Sequence, residues 1–330
     1  MSEDADRSST GTAVDPAAGA HGQGRRRRPW LRVVQVVLVA ATAYFLAAYL
    51  VRSWPIVKDY DWMLRPGWLA LSAVAFLSFY GLQVLFWWLL LRGFGLHSPL
   101  PMAAATWAKS ILARYIPGNV FMYVSRAWLS HEQGLPVDRV TAAMVYEQAL
   151  GVGSALVTMA VLFPFWTYHP GLTALSLVAL PVLMTLLHPR VFAPVSGRVL
   201  RLLHRPPLDV TLRFGTVLAL LGFFVVGWFV AGAGAWLLAR AVTGLTVSAL
   251  PLVVVTNALA YVVGMVAFIF PSGIGVREAE FTASLSRELP GGVALAWALL
   301  LRLWVTAIEL AFVGIVVGAE AAARRRRGGG

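Results

Sequence analysis

Residues 113–129 read ARYIPGNVFMYVSRAWL, two arginines placed around a Pro-Gly-Asn break inside a largely apolar chain. Proline disfavours α geometry in the residue before it, and the glycine after it tolerates a left-handed turn, so a helix arriving through Ile116 stops there. Asn119 is suited to cap a new helix running through Leu129. The segments on either side, Pro101–Ile116 and the helix to Leu129, have about 12–16 residues each, roughly 18–24 Å at ~1.5 Å per residue. That falls short of the ~30 Å hydrocarbon core of a bilayer. Two short arms joined by Pro-Gly read as a re-entrant hairpin. Non-helical backbone at membrane depth is tolerated only where protein or a wet cavity surrounds it, so Arg114 and Arg126 are expected to face such a cavity.

The rest of the chain supplies the membrane. Of 330 residues, 59% are hydrophobic and 13% charged, against about 25% charged in soluble domains; the mean hydropathy is +0.73. Uncharged or nearly uncharged runs recur at Val33–Val51, Pro66–Leu91, Gln148–Pro189, Phe214–Ala239 and Ala241–Val276. A run of about 20 apolar residues crosses the bilayer as a helix. The expected fold is all-α: a polytopic helical membrane protein with seven or eight crossings and two broken, re-entrant elements. Spans are placed near residues 30–51, 67–91, 139–164, 171–188, 214–240, 246–270 and 291–319. Residues 1–28, small and polar before Arg25–Arg28, read as a disordered cytoplasmic segment. Residues 29–320 form the membrane domain, with the first span uncleaved, and 321–330 a basic cytoplasmic tail. With no cysteine, disulfides and thiolate metal sites are excluded.

Lys and Arg collect on the cytoplasmic side of membrane proteins. Arg25–Arg28, the loop with Arg190, Arg198, Arg201, Arg205 and Arg213, and the tail Arg324–Arg327 should all lie inside. The net charge of +12 then sits on edges that attract anionic headgroups, not nucleic acid. Counting spans exposes a conflict. The span near 246–270 returns the chain to the inside, and a span near 291–319 would then carry Arg324–Arg327 outside. Either the tail breaks the rule, or residues 271–290 cross as a discontinuous helix.

That same region repeats the opening pattern. FIFPSGIGVREAEF, Phe268–Phe281, again ends an apolar helix at a proline, opens through small residues and starts a charged helix. Ser272, Gly273 and Gly275 are expected to leave backbone N–H groups free at the positive end of that helix, where an anion is favoured, with Arg277 beside them. Two broken helices in corresponding halves suggest an inverted repeat around a central site. Further charges lie inside apolar helices: Glu147 in AAMVYEQALGVGSAL, and Arg302 and Glu309 in ALLLRLWVTAIELAF, two turns apart on one face. Such residues line cavities or pair with one another.

RYIPGNV with the later Arg126, the Glu147-Gln148 pair, PSGIGVRE and LLLRL together resemble the lysylphosphatidylglycerol synthetase transmembrane-region family, a flippase-like group, over roughly residues 30 to 320. The resemblance implies a fold related to the lipid-translocating half of lysylphosphatidylglycerol synthases. It carries over Tyr115, Pro117, Gly118, Arg126, Glu147, Pro271, Gly273, Gly275, Arg277, Glu278 and Arg302. Asn119 stands where lysine is common in that family, and Ser272 where glycine is common. With no soluble acyltransferase domain after residue 320, the chain is not expected to make lysyl-lipid.

The expectation is a lipid translocase in the plasma membrane, N-terminus cytoplasmic. An anionic or phosphate-bearing lipid headgroup would be held by Arg114, Tyr115, Pro117, Gly118, Asn119, Arg126, Glu147, Gln148, Pro271, Ser272, Gly273, Gly275, Arg277, Glu278, Arg302 and Glu309. Arginine suits phosphate because its planar fork bonds in pairs. No cofactor or metal is expected: the six histidines are scattered, and HExxH, G-x-S-x-G and Walker A patterns are absent. Two other classes stay open. One is a membrane enzyme transferring a group from a lipid-linked donor, with Asp59 and Asp61 as its acids or metal ligands. The other is a non-catalytic partner of a lipid- or glycan-synthesis enzyme. Homo-oligomerisation is also open.

Overall fold

The computed structural model describes residues 51–115, 120–162, 212–266 and 275–328, with isolated positions among 44–48 and 171–198. Every regular element among them is helical: α1 (Pro66–Gly93), α2 (Leu100–Ile111) ending in a 3-10 turn (Leu112–Tyr115), α3 (Val120–Glu132), α4 (Val137–Val161), α5 (Phe214–Thr243), a 3-10 turn (Val247–Ala249), α6 (Leu250–Val266), α7 (Val276–Leu285) and α8 (Gly291–Gly328). Five helical segments among the described residues are long and apolar enough to cross a membrane, and they coincide with five of the expected spans. The expected spans near 30–51 and 171–188 lie mostly outside the described residues.

Local sequence sets the helix ends. Pro66 opens α1 in the first turn, where its missing N–H costs nothing. Gly244 closes α5 in the left-handed region at φ 71°. α1 packs most extensively on α5, and α5 in turn on α6 and α4. Small residues let these backbones approach: a Cβ on Gly232 of α5 would stand 2.6 Å from Val254 Cα of α6. The tryptophan and hydroxyl groups are used as interhelical ties. Ser72 donates to the Gly234 carbonyl at 2.8 Å while Trp304 donates to Ser72 at 3.1 Å, joining α1, α5 and α8. Outward-facing Leu71, Val74, Leu218, Val226, Leu303 and Ile315 are exposed, as a lipid-facing belt requires.

The helix ends sort onto two faces. On the first, Met63 N–H and Arg65 N–H bond the carbonyls of Val242 and Ala241 at 3.0 and 3.2 Å, and Gly292 packs directly on Ser53. The start of α1, the end of α5 and the start of α8 therefore share that face. On the second face the end of α1 meets the start of α4, where Arg139 reaches toward Gly95.

This arrangement resolves the parity conflict. α6 leaves the first face, and α7 returns to it, running antiparallel to α8 with Phe281 against Trp297 at 5.5 Å. At ten residues, or about 15 Å, α7 is too short to cross alone. It is the return arm of a hairpin. α8 then runs to the second face, which places Arg324–Arg327 on the same side as Arg213 at the start of α5. At 38 residues, about 57 Å, α8 outruns the bilayer, so its arginine-rich last turns stand clear of it.

The opening stretch forms the matching hairpin from the other face. Arg126 Nε of α3 donates to Ser110 Oγ of α2 at 2.9 Å, and Gln133 Nε2 donates to Thr106 Oγ1 at 2.6 Å. Lower residues of one arm pair with higher residues of the other, so the arms are antiparallel. The connecting residues 116–119 and 267–274 lie outside the described residues. Two hairpins thus enter from opposite faces, the first with two short arms and the second joining the span-length α6 to the short α7.

Candidate functional site

A cavity of about 560 Å³ lies between the two hairpins, within the usual range for a small-molecule or headgroup site. Arg114 and Arg126 reach it from the first hairpin, Arg277 and Glu278 from the second, Glu147 and Gln148 from α4, and Arg302 from α8. Charges this deep need compensation, because a lone ion inside a bilayer costs at least a few kcal/mol. Three of the four arginines receive it.

Arg126 is 2% exposed, and its Nη1 donates to Glu147 Oε2 at 2.6 Å. Its guanidinium also lies 4.8 Å from the Trp87 ring centre and 5.8 Å from that of Trp107. With Ser110 on Nε, Arg126 is held on several sides by packing, charge and hydrogen bonding. Arg302 donates to Glu278 Oε1 at 2.5 Å. Arg114 pairs with Glu309, which also accepts a 2.9 Å hydrogen bond from the Tyr80 hydroxyl. Glu309 itself is fully buried behind Arg114 and is not on the cavity wall. Arg302 and Glu309, though two turns apart on α8, serve different partners.

Arg277 is the exception. Among the described residues no carboxylate lies within ion-pair distance of it, and no acceptor within hydrogen-bond distance, although its side chain lines the cavity. Four arginines meet three glutamates here, and the unmatched positive charge belongs to Arg277.

One sequence expectation needs correction. Gly275 was expected to offer a free N–H to an anion at the start of α7. Instead its N–H donates to Glu278 Oε2 at 2.6 Å, while Gly275 adopts φ 87°. A glutamate in the third helical position reaches back to the residue before the helix and occupies that donor. It also places negative charge at the positive helix end. Among the described residues at the start of α7, the positive charge on the cavity wall is carried by the Arg277 side chain.

Of the other expected residues, Gln148 lines the cavity and its Oε1 accepts weakly from Tyr261 at 3.4 Å. Tyr115 lies in the 3-10 turn, with its side chain outside the described residues, as are Pro117, Gly118, Asn119, Pro271, Ser272 and Gly273. Asp59 and Asp61 sit in an exposed loop away from the cavity, Asp59 only 4.0 Å from Lys58. Between them Tyr60 donates to the Thr243 carbonyl at 3.2 Å; burial first, then the Asp61 charge, hold its phenol above the ordinary range. No group of three metal-ligating side chains occurs among the described residues. Sequence reading missed Tyr80, Gln83, Tyr123, Asn257 and Tyr261, which also line the cavity. Gln83 and Asn257 had a legible signal, an amide inside an apolar span. The tyrosines had none, because an aromatic ring in a span is usually lipid or core.

The fold and this site define a polytopic helical membrane protein with an arginine-lined cavity between opposed re-entrant hairpins. Residues 30–312 match the lysylphosphatidylglycerol synthase TM region, and the chain belongs to that family. No curated protein matches the sequence.

Proposed function

We propose that the protein translocates an amphiphile with an anionic, phosphate-bearing headgroup across the cell membrane, with its N-terminus and basic tail on the cytoplasmic side. The observation that carries this reading is Arg277, an unmatched cation on the wall of an intramembrane cavity. A phosphate would complete its charge balance and bond its planar fork in pairs. Arg302, part-exposed on the same wall, adds a second contact by dividing its guanidinium N–H groups between Glu278 and the incoming anion. Arg126 is too enclosed for direct contact and positions Glu147 and the first hairpin. Opposed hairpins offer a route for alternating exposure of one site to the two leaflets, as in transporters built on broken helices.

The test is leaflet exchange of fluorescent, headgroup-varied lipids in proteoliposomes, comparing the wild type with Arg277→Gln. Removing an unmatched charge should leave the fold intact, so lost exchange in this variant reports on the site. The expected result is exchange of anionic lipids above empty liposomes, reduced at least about tenfold in the variant, the equivalent of ~1.4 kcal/mol. Exchange that is equal in both, or absent with folded wild-type protein, would overturn the reading.

A further inference from the structure

The charges around the cavity do not cancel. Arg114, Arg126, Arg277 and Arg302 line it together with Glu147 and Glu278, and Glu309 lies behind Arg114. Among the described residues no other Lys, Arg, Asp or Glu is on the wall. Glu280, on α7 with Arg277, accepts from Ser284 at 3.0 Å and is not part of the wall. The connecting residues 116–119 and 267–274 contain no ionisable side chain. Each of the three glutamates is bound to one arginine, so those pairs are neutral as units. Arginine keeps its proton throughout the physiological range. The described site therefore carries one net positive charge, on Arg277.

A charge held inside a membrane feels the potential across it. For one elementary charge, ~100 mV changes the distribution between the two sides about 50-fold. When a site opens to one side and then to the other, its net charge crosses that field. A headgroup with a single negative charge cancels Arg277, so the loaded site crosses as a neutral unit and the empty site as a monocation. We propose that the return of the empty site is the charge-carrying step of the cycle, and that the membrane potential sets the direction of net transport. With the cytoplasm negative, the empty monocation is drawn to face the cytoplasm and the neutral loaded form leaves it, so anionic lipid moves outward. This rests on the translocation reading above and adds its driving force.

The test uses the full chain in phosphatidylcholine liposomes, with potassium gradients and valinomycin setting the potential and fluorescent phosphatidylglycerol as the probe. In net-transfer mode the probe starts in the outer leaflet alone. Every cycle then includes an empty return, whichever way round the protein is inserted. In exchange mode unlabelled phosphatidylglycerol saturates both leaflets, and the site crosses loaded in both directions. Net inward transfer should accelerate about sevenfold at ~100 mV inside positive, the rate effect of one charge with half the field acting before the barrier. Exchange should not respond to the potential. Gln148→Glu adds a negative charge to the wall, which makes the empty site neutral and the loaded site a monoanion. Exchange by that variant should gain the potential dependence that the wild type lacks. Should it fail to fold, Gln83→Glu on α1 makes the same change of charge. Potential-dependent exchange in the wild type means that the loaded site is charged, and overturns the assignment. Net transfer that ignores the potential overturns it as well, and so do charge-added variants that exchange like the wild type. In those cases translocation stands and only its charge-carrying step is lost. If the folded wild type moves no phosphatidylglycerol above empty liposomes in either mode, the translocation reading falls and takes this one with it.

Discussion

Arg126 and Glu147 show how one residue's role depends on what surrounds it. The pair is nearly sealed from solvent, with a 2.6 Å contact and two tryptophan faces beside the guanidinium. A buried pair contributes little net stability against an apolar replacement, yet removing one partner strands a charge. Glu147→Gln should therefore destabilise the protein by about 3–5 kcal/mol, seen as a lower melting temperature in detergent. The double variant Arg126→Met with Glu147→Met should recover most of that loss. If the single variant melts like the wild type, the pair is not sealed in the folded protein. Arg277 predicts the opposite pattern, a binding loss without a stability loss, because it has no carboxylate partner among the described residues. The sequence made all three residues candidates alike. It could not say which arginine had been neutralised, since that depends on helices far apart in the chain.

At the level of elements, the two hairpins bring the charged residues to the cavity. Pro-Gly in the first and Pro-Ser-Gly in the second were legible as breaks because proline and glycine act locally. The direction of the arms was not, and hairpin closure depends on rungs such as Arg126 to Ser110. Gly275 combines both kinds of information. Its φ of 87° is a conformation that side chains resist, and its N–H is engaged by Glu278. Gly275→Ala should cost about 1–3 kcal/mol in backbone strain. Because Glu278 also holds Arg302, the same variant should weaken anionic-lipid binding more than Ala substitutions at exposed positions of α7. Unchanged melting and unchanged lipid binding together would show that the start of α7 adapts freely.

For the whole molecule, the arrangement of ends is the decisive feature. The loop after α7 belongs with the 59–65 loop on one face, and the end of α8 on the other. The native chain contains no cysteine, so single cysteines at Asp61, Glu288 and Arg325 give a clean test with a membrane-impermeant maleimide. Asp61→Cys and Glu288→Cys should label together, and Arg325→Cys only when the opposite side is exposed. Joint labelling of Glu288→Cys and Arg325→Cys would contradict the hairpin. Sequence alone determined the membrane class, the five described spans, the two breaks and the charged residues, since hydropathy and proline or glycine geometry are local properties. Tertiary structure alone decided that α7 turns back, that Glu278 takes the Gly275 N–H, and that, among the described residues, three glutamates pair with Arg114, Arg126 and Arg302 and leave Arg277 unmatched. Those outcomes depend on which distant helices come within a few ångströms, and local pattern carries no such distance.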